Sequence, residues 1–253
     1  EQDALKKVAK QKIFLGFSDT TMNHLMLHKV GIQSFYGQAF LPDVCELSAE
    51  MLPYTKSYFE ELLTTGRIKE IHSSEIWYQE REDFSEQGLG VSMPSFPNQG
   101  FELLKGNAQF SGPILGGCLE SMYDCFDSST YADTVQLTQK YKLFPTLEDW
   151  NGKILLLETS EERPSVELYR KMIQALKQYG IFDVVSGVLV GKPQNEIHYE
   201  EYKAVLLEEL QDKELSIVYN VNVGHATPRC IVPFGVQAQV DVDAQVIRFD
   251  YNK

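Results

Sequence analysis

The chain has 253 residues, of which 43% are hydrophobic and 23% charged, and its formal net charge is −13. This composition is that of a globular protein, and the acidic balance argues against nucleic acid and membrane surfaces as partners, since both attract clustered Lys and Arg. No apolar stretch approaches the ~20 residues that span a bilayer, and four cysteines without a C-x-x-C pair predict reduced thiols in a cytoplasmic protein.

Apolar runs alternate with helical patterns along the chain, which predicts an α/β fold. In the first part we expect a buried strand at 13–17, a helix over 19–29 and a second strand at 32–37. Residues 48–65 have helical periodicity, and Gly66 is a stop signal. The next thirty residues, from 71 to 100, are polar, carry aromatic side chains and become rich in Gly and Pro, which predicts a long surface loop or an interdomain connection.

The second half continues the alternation of strands and helices. Apolar runs at 153–159, 184–191 and 215–224 predict strands, and helical patterns at 164–179 and 198–211 lie between them. The tail VQAQVDVDAQVIRFD alternates on both sides of Asp243-Ala244, which predicts a closing hairpin.

The first chemically informative stretch is IFLGFSDTTMN, residues 13–23. An apolar strand that turns through Gly16 into Ser18 at a helix start resembles a nucleophile elbow, and the Asp19 N–H would then face a developing oxyanion. However, Thr20 stands where the G-x-S-x-G pattern has its second Gly. Ser and Asp also lead the ranking of helix N-caps, so a plain capping serine explains the stretch as well.

A nucleophilic serine needs a base, usually a histidine that a carboxylate orients. His225 follows an apolar strand and begins a loop, and Glu158 closes the apolar run ILLLE, where a charged group needs a partner. Glu161 and Glu162, in contrast, are expected to face water. The chain order Ser18, Glu158, His225 is found in some hydrolases, but a structural histidine and an ordinary strand-end acid remain alternatives.

Two other groups could carry chemistry. His24 and His28 have i, i+4 spacing, but the Glu of H-E-x-x-H and a third ligand are missing, so the pair gives little support for a metal site. Cys118 follows a Gly pair at a predicted helix start and is a rival nucleophile that would use His225. The alternative for Cys118 is a small buried thiol.

Five segments together resemble the serine peptidase family that comprises the LD-carboxypeptidases and the microcin C immunity protein. They are, in the family's order, GFSDTT, GPILGGCLESM, ILLLET, GVLVGKPQNE and NVNVGHATPRCIVPFG. The resemblance implies a catalytic triad in which Ser18 is the nucleophile, Glu158 the orienting acid and His225 the base. Such a triad needs no metal or organic cofactor, and the Asp19 N–H remains the expected oxyanion donor.

The microcin-immunity branch is the more similar one, because its members carry an aromatic-bearing loop like SSEIWYQEREDF. This resemblance implies that Trp77 stacks on a nucleobase, that Phe84 lies near a second aromatic position, and that Asn98 belongs to a segment at the cleft. A tryptophan on a polar loop also fits a ligand-stacking role by itself. The alternative is that Trp77 covers a neighbouring hydrophobic patch.

The resemblance also implies an organisation and a substrate class. We expect residues 1–66 to be the remainder of an N-terminal nucleophile domain, 67–100 a connecting substrate loop, and 101–253 a C-terminal domain that carries the acid and the base, in a homodimer. The substrate would be an aminoacyl-nucleotide of the microcin kind or the L,D-bond of a murein tetrapeptide, and a non-catalytic protein that binds such a ligand is the contrasting class. Family members carry a further stretch before the nucleophile, including the second oxyanion donor, so we expect the 253 residues alone to be inactive.

Overall fold

The computed structural model describes residues 2–9 and 12–252. The strands within these ranges are β1 (Leu15–Gly16), β2 (Ser34–Tyr36), β3 (Glu70–His72), β4 (Ile76–Tyr78), β5 (Ser95–Pro97), β6 (Glu102–Lys105), β7 (Gln109–Cys118), β8 (Ile154–Glu158), β9 (Gly187–Gly191), β10 (Ser216–Val221), β11 (Val232–Phe234), β12 (Gln237–Asp241) and β13 (Val246–Asp250). The α-helices are α1 (Gln2–Ala9), α2 (Thr21–Lys29), α3 (Pro53–Thr65), α4 (Leu119–Tyr123), α5 (Thr134–Tyr141), α6 (Leu147–Trp150), α7 (Val166–Tyr179) and α8 (Tyr199–Glu209).

The main sheet has eight strands in the order β3-β13-β12-β7-β8-β9-β10-β6. Strands β7 to β10 pair in parallel at its centre, and the flanking strands pair antiparallel. The central strand β8 is buried along its whole length, because a parallel strand that is covered on both faces needs a continuous apolar run. That run ends in Glu158, so the only charged residue of β8 lies at the carboxyl edge of the sheet, where ligand sites of open α/β sheets are found.

A second, three-stranded sheet joins the first part of the chain to residues 232–234. Strand β1 pairs in parallel with β2, and β11 pairs antiparallel with the other side of β2. Ser18 follows β1 directly, and β11 follows the loop that contains His225. The small sheet therefore positions the predicted nucleophile and the predicted base, although they are 207 residues apart in the sequence.

The predicted α/β class is confirmed, and so is the closing hairpin, in which β12 and β13 pair with Asp241 opposite Val246. The predicted start of the third helix at residue 48 is wrong, since α3 begins at Pro53, whose fixed φ and missing N–H suit the first helical position. Within the described ranges, no helix combines the length and the apolar character needed to cross a membrane.

The segment 71–100, predicted to be a loop, contains a two-stranded hairpin in which Trp77 of β4 lies opposite Phe96 of β5. Strand pairing also joins the three segments proposed from the sequence. Strand β3, from 67–100, pairs with β13, and β11, from 101–253, pairs with β2. The division into 1–66, 67–100 and 101–253 stays a prediction.

Candidate active site

Ser18 lies at a sharp turn between β1 and α2. Its φ is +60°, in the left-handed region that costs a non-glycine residue about 1–2 kcal/mol. Such strain is typical of functional turns and is the local geometry of a nucleophile elbow. Phe17, and not Ser18, occupies the N-cap position of this turn, and the Ser18 hydroxyl lies 3.1 Å from His225 Nε2. The capping alternative therefore does not describe this side chain.

His225 is held on its other side by Glu158. The distance from His225 Nδ1 to Glu158 Oε2 is 2.7 Å, and the His225 backbone N–H donates to the same oxygen at 3.2 Å. Gly224 makes this approach possible, because a Cβ at that position would lie 2.3 Å from Glu158 Oε2 and its φ is +88°. The structure thus brings the three predicted residues Ser18, His225 and Glu158 into one line of hydrogen bonds.

Tyr36 binds the second oxygen of Glu158, a role that the sequence analysis did not predict. Its hydroxyl donates to Glu158 Oε1 at 2.5 Å and accepts the Ser18 N–H at 3.1 Å. Burial and the adjacent Glu158 raise the pKa of Tyr36 well above its usual value, so the phenol stays protonated and remains a donor. The only sequence signal was a tyrosine inside a predicted short strand, since the hydroxyl of a tyrosine has to find a partner when it is buried.

A second carboxylate contacts the base. Glu161 was expected to face water, and 60% of its side chain is exposed, but its Oε2 also lies 2.8 Å from His225 Nε2. Burial alone would lower the pKa of His225, but the charge and hydrogen bond of Glu158 and the hydrogen bond of Glu161 outweigh it and raise this pKa to about 10. The hydrogen bond to His225 lowers the pKa of Glu161 to about 2.

The loop that carries His225 is anchored by Arg229, another residue that the sequence did not single out. Its guanidinium donates to the carbonyls of Gly224 and His225 at 2.6 and 3.0 Å. It also pairs with Asp43 at 2.9 Å and with Glu80 at 3.2 Å. Because Arg229 and Asp43 are both buried, this pairing fixes the loop to the segment after β2.

A cleft of about 450 Å³ opens beside Ser18 and Asp19. Its walls carry further carboxylates, those of Glu120, Asp124, Glu161 and Glu162. No Lys or Arg of the described ranges lines the cleft.

The Asp19 N–H lies in the first turn after the elbow and donates to no protein acceptor within the same ranges, which leaves it available to a substrate oxygen.

The rival sites have structural explanations. Both ring nitrogens of His24 have protein partners, Ser34 Oγ at 2.8 Å and the Gly16 carbonyl at 3.1 Å, and burial lowers its pKa to about 4. Cys118 is 2% exposed, and burial together with Glu158 raises its pKa well above the usual value. It is therefore a buried thiol and no activated thiolate.

Trp77 is buried, with 9% of its surface exposed, and does not stand on an open polar loop. Its ring stacks on Phe96 with the centroids 4.7 Å apart, and Lys192 Nζ lies 5.1 Å from its centroid. Phe84, in contrast, is 64% exposed. Neither aromatic side chain lines the cleft beside Ser18.

Asn98 belongs to a buried polar network. Its Nδ2 donates to the Ser74 carbonyl at 2.9 Å, and its Oδ1 accepts from Asn220 at 3.1 Å and from Lys192 at 3.3 Å. Lys192 also pairs with Glu196 at 2.5 Å, while burial lowers its pKa. The network ties the segment after β5 to the ends of β9 and β10, and it also lies outside the lining of the cleft.

The chain is similar to known proteins over most of its length. The sequence model described as the LD-carboxypeptidase C-terminal domain matches residues 111–240. The chain is 25% identical to the microcin C7 self-immunity protein MccF of Escherichia coli over 246 residues, which are 93% of this chain and 64% of that protein. It is 25% identical to a putative carboxypeptidase of Vibrio cholerae over 243 residues, 94% of this chain and 66% of the relative. The chain thus spans about two thirds of the length of these relatives.

Two solved structures are similar to the fold. One is an MccF-like protein from Streptococcus pneumoniae in complex with AMP, with 64% identity, a TM-score of 0.94, and coverage of 96% of this chain and 70% of that one. The other is MccF in complex with glutamyl sulfamoyl guanosine, with 24% identity, a TM-score of 0.77, and coverage of 100% and 70%. The second likeness concerns the fold alone.

Proposed function

We propose that the chain hydrolyses an amide through a serine acyl-enzyme. The premise is that it belongs to the serine peptidase family of LD-carboxypeptidases and microcin C immunity proteins. The observation that carries the proposal is the line of contacts from Ser18 Oγ to His225 Nε2, at 3.1 Å, and from His225 Nδ1 to Glu158, at 2.7 Å. A nucleophile, a base and an orienting acid within hydrogen-bond reach are the arrangement that acyl transfer needs.

In the proposed reaction neutral His225 accepts the Ser18 proton while Ser18 Oγ attacks the amide carbonyl carbon. The Asp19 N–H donates to the oxyanion of the tetrahedral intermediate. His225 then gives its proton to the leaving nitrogen, and the C–N bond breaks to leave an ester on Ser18. Water, deprotonated by His225, hydrolyses that ester, and Glu158 holds the imidazole in the useful tautomer throughout.

For the substrate we propose an aminoacyl-nucleotide with the scissile amide at its carboxyl end. This is supported by the AMP complex of the 64% identical relative. In this proposal Trp77, Phe84 and Asn98 contact the substrate outside the cleft beside Ser18, with the two aromatic side chains on the base. The protein is proposed to be a cytoplasmic homodimer. Phe96 of the same hairpin covers the Trp77 ring, and Lys192 also lies over it. Base stacking therefore requires the β4–β5 hairpin to move away from Lys192. The second candidate, a murein tetrapeptide with an L,D-bond, is supported by the family name of the matching domain.

The test uses a fluorophosphonate probe together with two substrates, aspartyl sulfamoyl adenosine and a murein tetrapeptide. For a protein that also carries the stretch found before the nucleophile in family members, we expect covalent labelling and turnover of the first substrate. The 253 residues alone are expected to be inactive. Ser18→Ala should abolish labelling and lower turnover by at least about 10⁴-fold, as expected when a triad nucleophile is lost. Ser57→Ala, which changes an exposed serine of α3, is the matched control and should behave like the wild type.

Each other result has a clear meaning. Turnover of the tetrapeptide alone would assign the second substrate, and binding of the nucleoside without labelling would identify a non-catalytic binding protein. Labelling of Ser18→Ala at the wild-type rate would contradict the proposed nucleophile. Circular dichroism of each variant shows whether the fold is kept.

A further inference from the structure

The nitrogen that should accept the Ser18 proton has two neighbours. His225 Nε2 lies 3.1 Å from Ser18 Oγ and 2.8 Å from Glu161 Oε2, so the carboxylate is the nearer partner. Protonated Nε2 carries one hydrogen, which can make one short, well-directed bond. The carboxylate and the hydroxyl therefore compete for the same nitrogen.

The two carboxylates on His225 differ in their freedom to move. The side chain of Glu158 is fully buried, and a hydrogen bond from Tyr36 fixes it at the end of β8. The side chain of Glu161 is 60% exposed, lies on the loop between β8 and α7, and borders the cleft beside Ser18. Glu161 can thus leave His225 by rotating into the cleft, whereas Glu158 cannot.

The charged groups that face His225 come from three parts of the chain. Glu158 from β8 and Glu161 from the loop that follows it stabilise the imidazolium, whereas Arg229 from the same loop as His225 opposes it. The Phe17 ring, at a centroid distance of 4.8 Å, covers the imidazole from the elbow and carries no charge. With both carboxylates in place the charged form dominates, and a protonated imidazole cannot accept the Ser18 proton.

We propose that Glu161 is a positioning residue whose contact with His225 Nε2 has to break before Ser18 can attack. This inference rests on the proposed function. When Glu161 rotates away, the Nε2 proton passes to Glu161 or to solvent water, and the neutral imidazole is left with Ser18 as its partner. Glu161 then sets the pH at which Ser18 becomes reactive.

The experiment compares the full chain with Glu161→Gln, Glu161→Ala and, as a control, Glu167→Gln. Glu167 is an exposed acid in the first turn of α7. The His225 pKa is followed by nitrogen-15 NMR of the imidazole, assigned with His225→Asn, and the rate of fluorophosphonate labelling is measured from pH 6 to 11. We expect both Glu161 variants to lower the His225 pKa by about one unit, which is a tenfold change in acid dissociation.

Labelling of the two Glu161 variants at neutral pH should then be about tenfold faster than that of the wild type, with the rates converging at high pH, while Glu167→Gln follows the wild type. Identical His225 pKa values and pH profiles in all proteins would overturn the role of Glu161. Slower labelling of the Glu161 variants at every pH would overturn it too, since it would make Glu161 a group that assists attack. If no protein is labelled at any pH, even with the N-terminal stretch that family members carry, the proposed serine chemistry fails, and this inference fails with it.

Discussion

The Tyr36 phenol and the Glu158 carboxylate, 122 residues apart in the sequence, are joined by a 2.5 Å hydrogen bond. The same phenol accepts the Ser18 N–H, so one buried hydroxyl links the backbone of the nucleophile to the acid that orients the base. Both oxygens of Glu158 are thereby occupied, one by Tyr36 and the other by His225. Full occupation fixes the carboxylate in one orientation, which a triad requires.

Tyr36→Phe should lower both stability and reactivity. The ring would keep its stacking on Phe234, but Glu158 Oε1 would be left without a partner in a buried site, at a cost of about 1–3 kcal/mol in the free energy of unfolding. Looser orientation of Glu158 should slow labelling of Ser18 by up to about a hundredfold. Urea unfolding and the labelling rate measure the two effects.

The matched control is Tyr58→Phe. Tyr58 is also buried, and its hydroxyl accepts the His72 N–H on the side of α3, away from Glu158. This variant should lose stability to a similar extent and keep the wild-type labelling rate. Equal labelling rates for Tyr36→Phe and wild type would show that Tyr36 is only a structural residue.

Glu158→Gln should preserve the fold and nearly abolish activity. A glutamine can occupy the same space but can also donate to His225 Nδ1, which stabilises the wrong tautomer and no longer supports the imidazolium. For a triad acid the corresponding change costs about 10⁴ in kcat. Substrate turnover and circular dichroism check the two statements, and a loss of less than about tenfold would remove Glu158 from the triad.

Alkylation distinguishes the serine nucleophile from the cysteine alternative. Cys45 is exposed, whereas the other three cysteines are buried. Burial raises the pKa of Cys125 to about 11 and that of Cys230 to about 12, and the pKa of Cys118 is raised as well. Since the thiolate is the reactive form, iodoacetamide at pH 8 should modify Cys45 alone in the native protein and all four cysteines in guanidinium chloride. Rapid native modification of Cys118, detected by mass spectrometry, would restore it as a candidate nucleophile.

Arg229→Met should destabilise the protein by about 3–5 kcal/mol, because it leaves the buried carboxylate of Asp43 without a countercharge. Arg170→Met is the control, since Arg170 forms partly exposed pairs with Glu208 and Glu209 that are worth at most about 1 kcal/mol. Urea unfolding of both variants gives the comparison. Equal losses would mean that the Arg229 network contributes no more than a surface pair.

The sequence located Ser18, Glu158 and His225 because each lies next to the end of a predicted apolar strand. Strands β8 and β10 end at one edge of the main sheet, whereas β1 belongs to the small sheet. It did not locate Tyr36 or Arg229. Their roles depend on partners more than a hundred residues away, Glu158 for the tyrosine and Asp43 for the arginine, and no local pattern records such pairings.

Two structural features were not anticipated, for local reasons: the contact of Glu161 with His225 and the covered position of Trp77. Glu161 follows the strand in a polar run and carries no apolar periodicity, so nothing distinguished it from the neighbouring exposed Glu162. Trp77 has polar residues after it, and its apolar partner Phe96 lies across a hairpin whose connection is 16 residues long, from 79 to 94. Because the connection is so long, no short turn motif in the sequence indicates that the two strands pair.

The covered position of Trp77 leads to a test of its proposed role in nucleotide binding. If the hairpin moves and the ring stacks on a base, AMP should quench the tryptophan fluorescence of the wild type in a saturable way. Trp77→Phe should lose this signal, because Trp150, the other tryptophan, is buried in the core. Stacking of a base on an aromatic ring is worth about 1–3 kcal/mol, so Trp77→Ala should weaken AMP binding by at least about fivefold in calorimetry, and Trp77→Phe by less. Unchanged affinity in Trp77→Ala would mean that this side chain serves to pack the β4–β5 hairpin against Phe96 and Lys192, and that the nucleotide binds elsewhere.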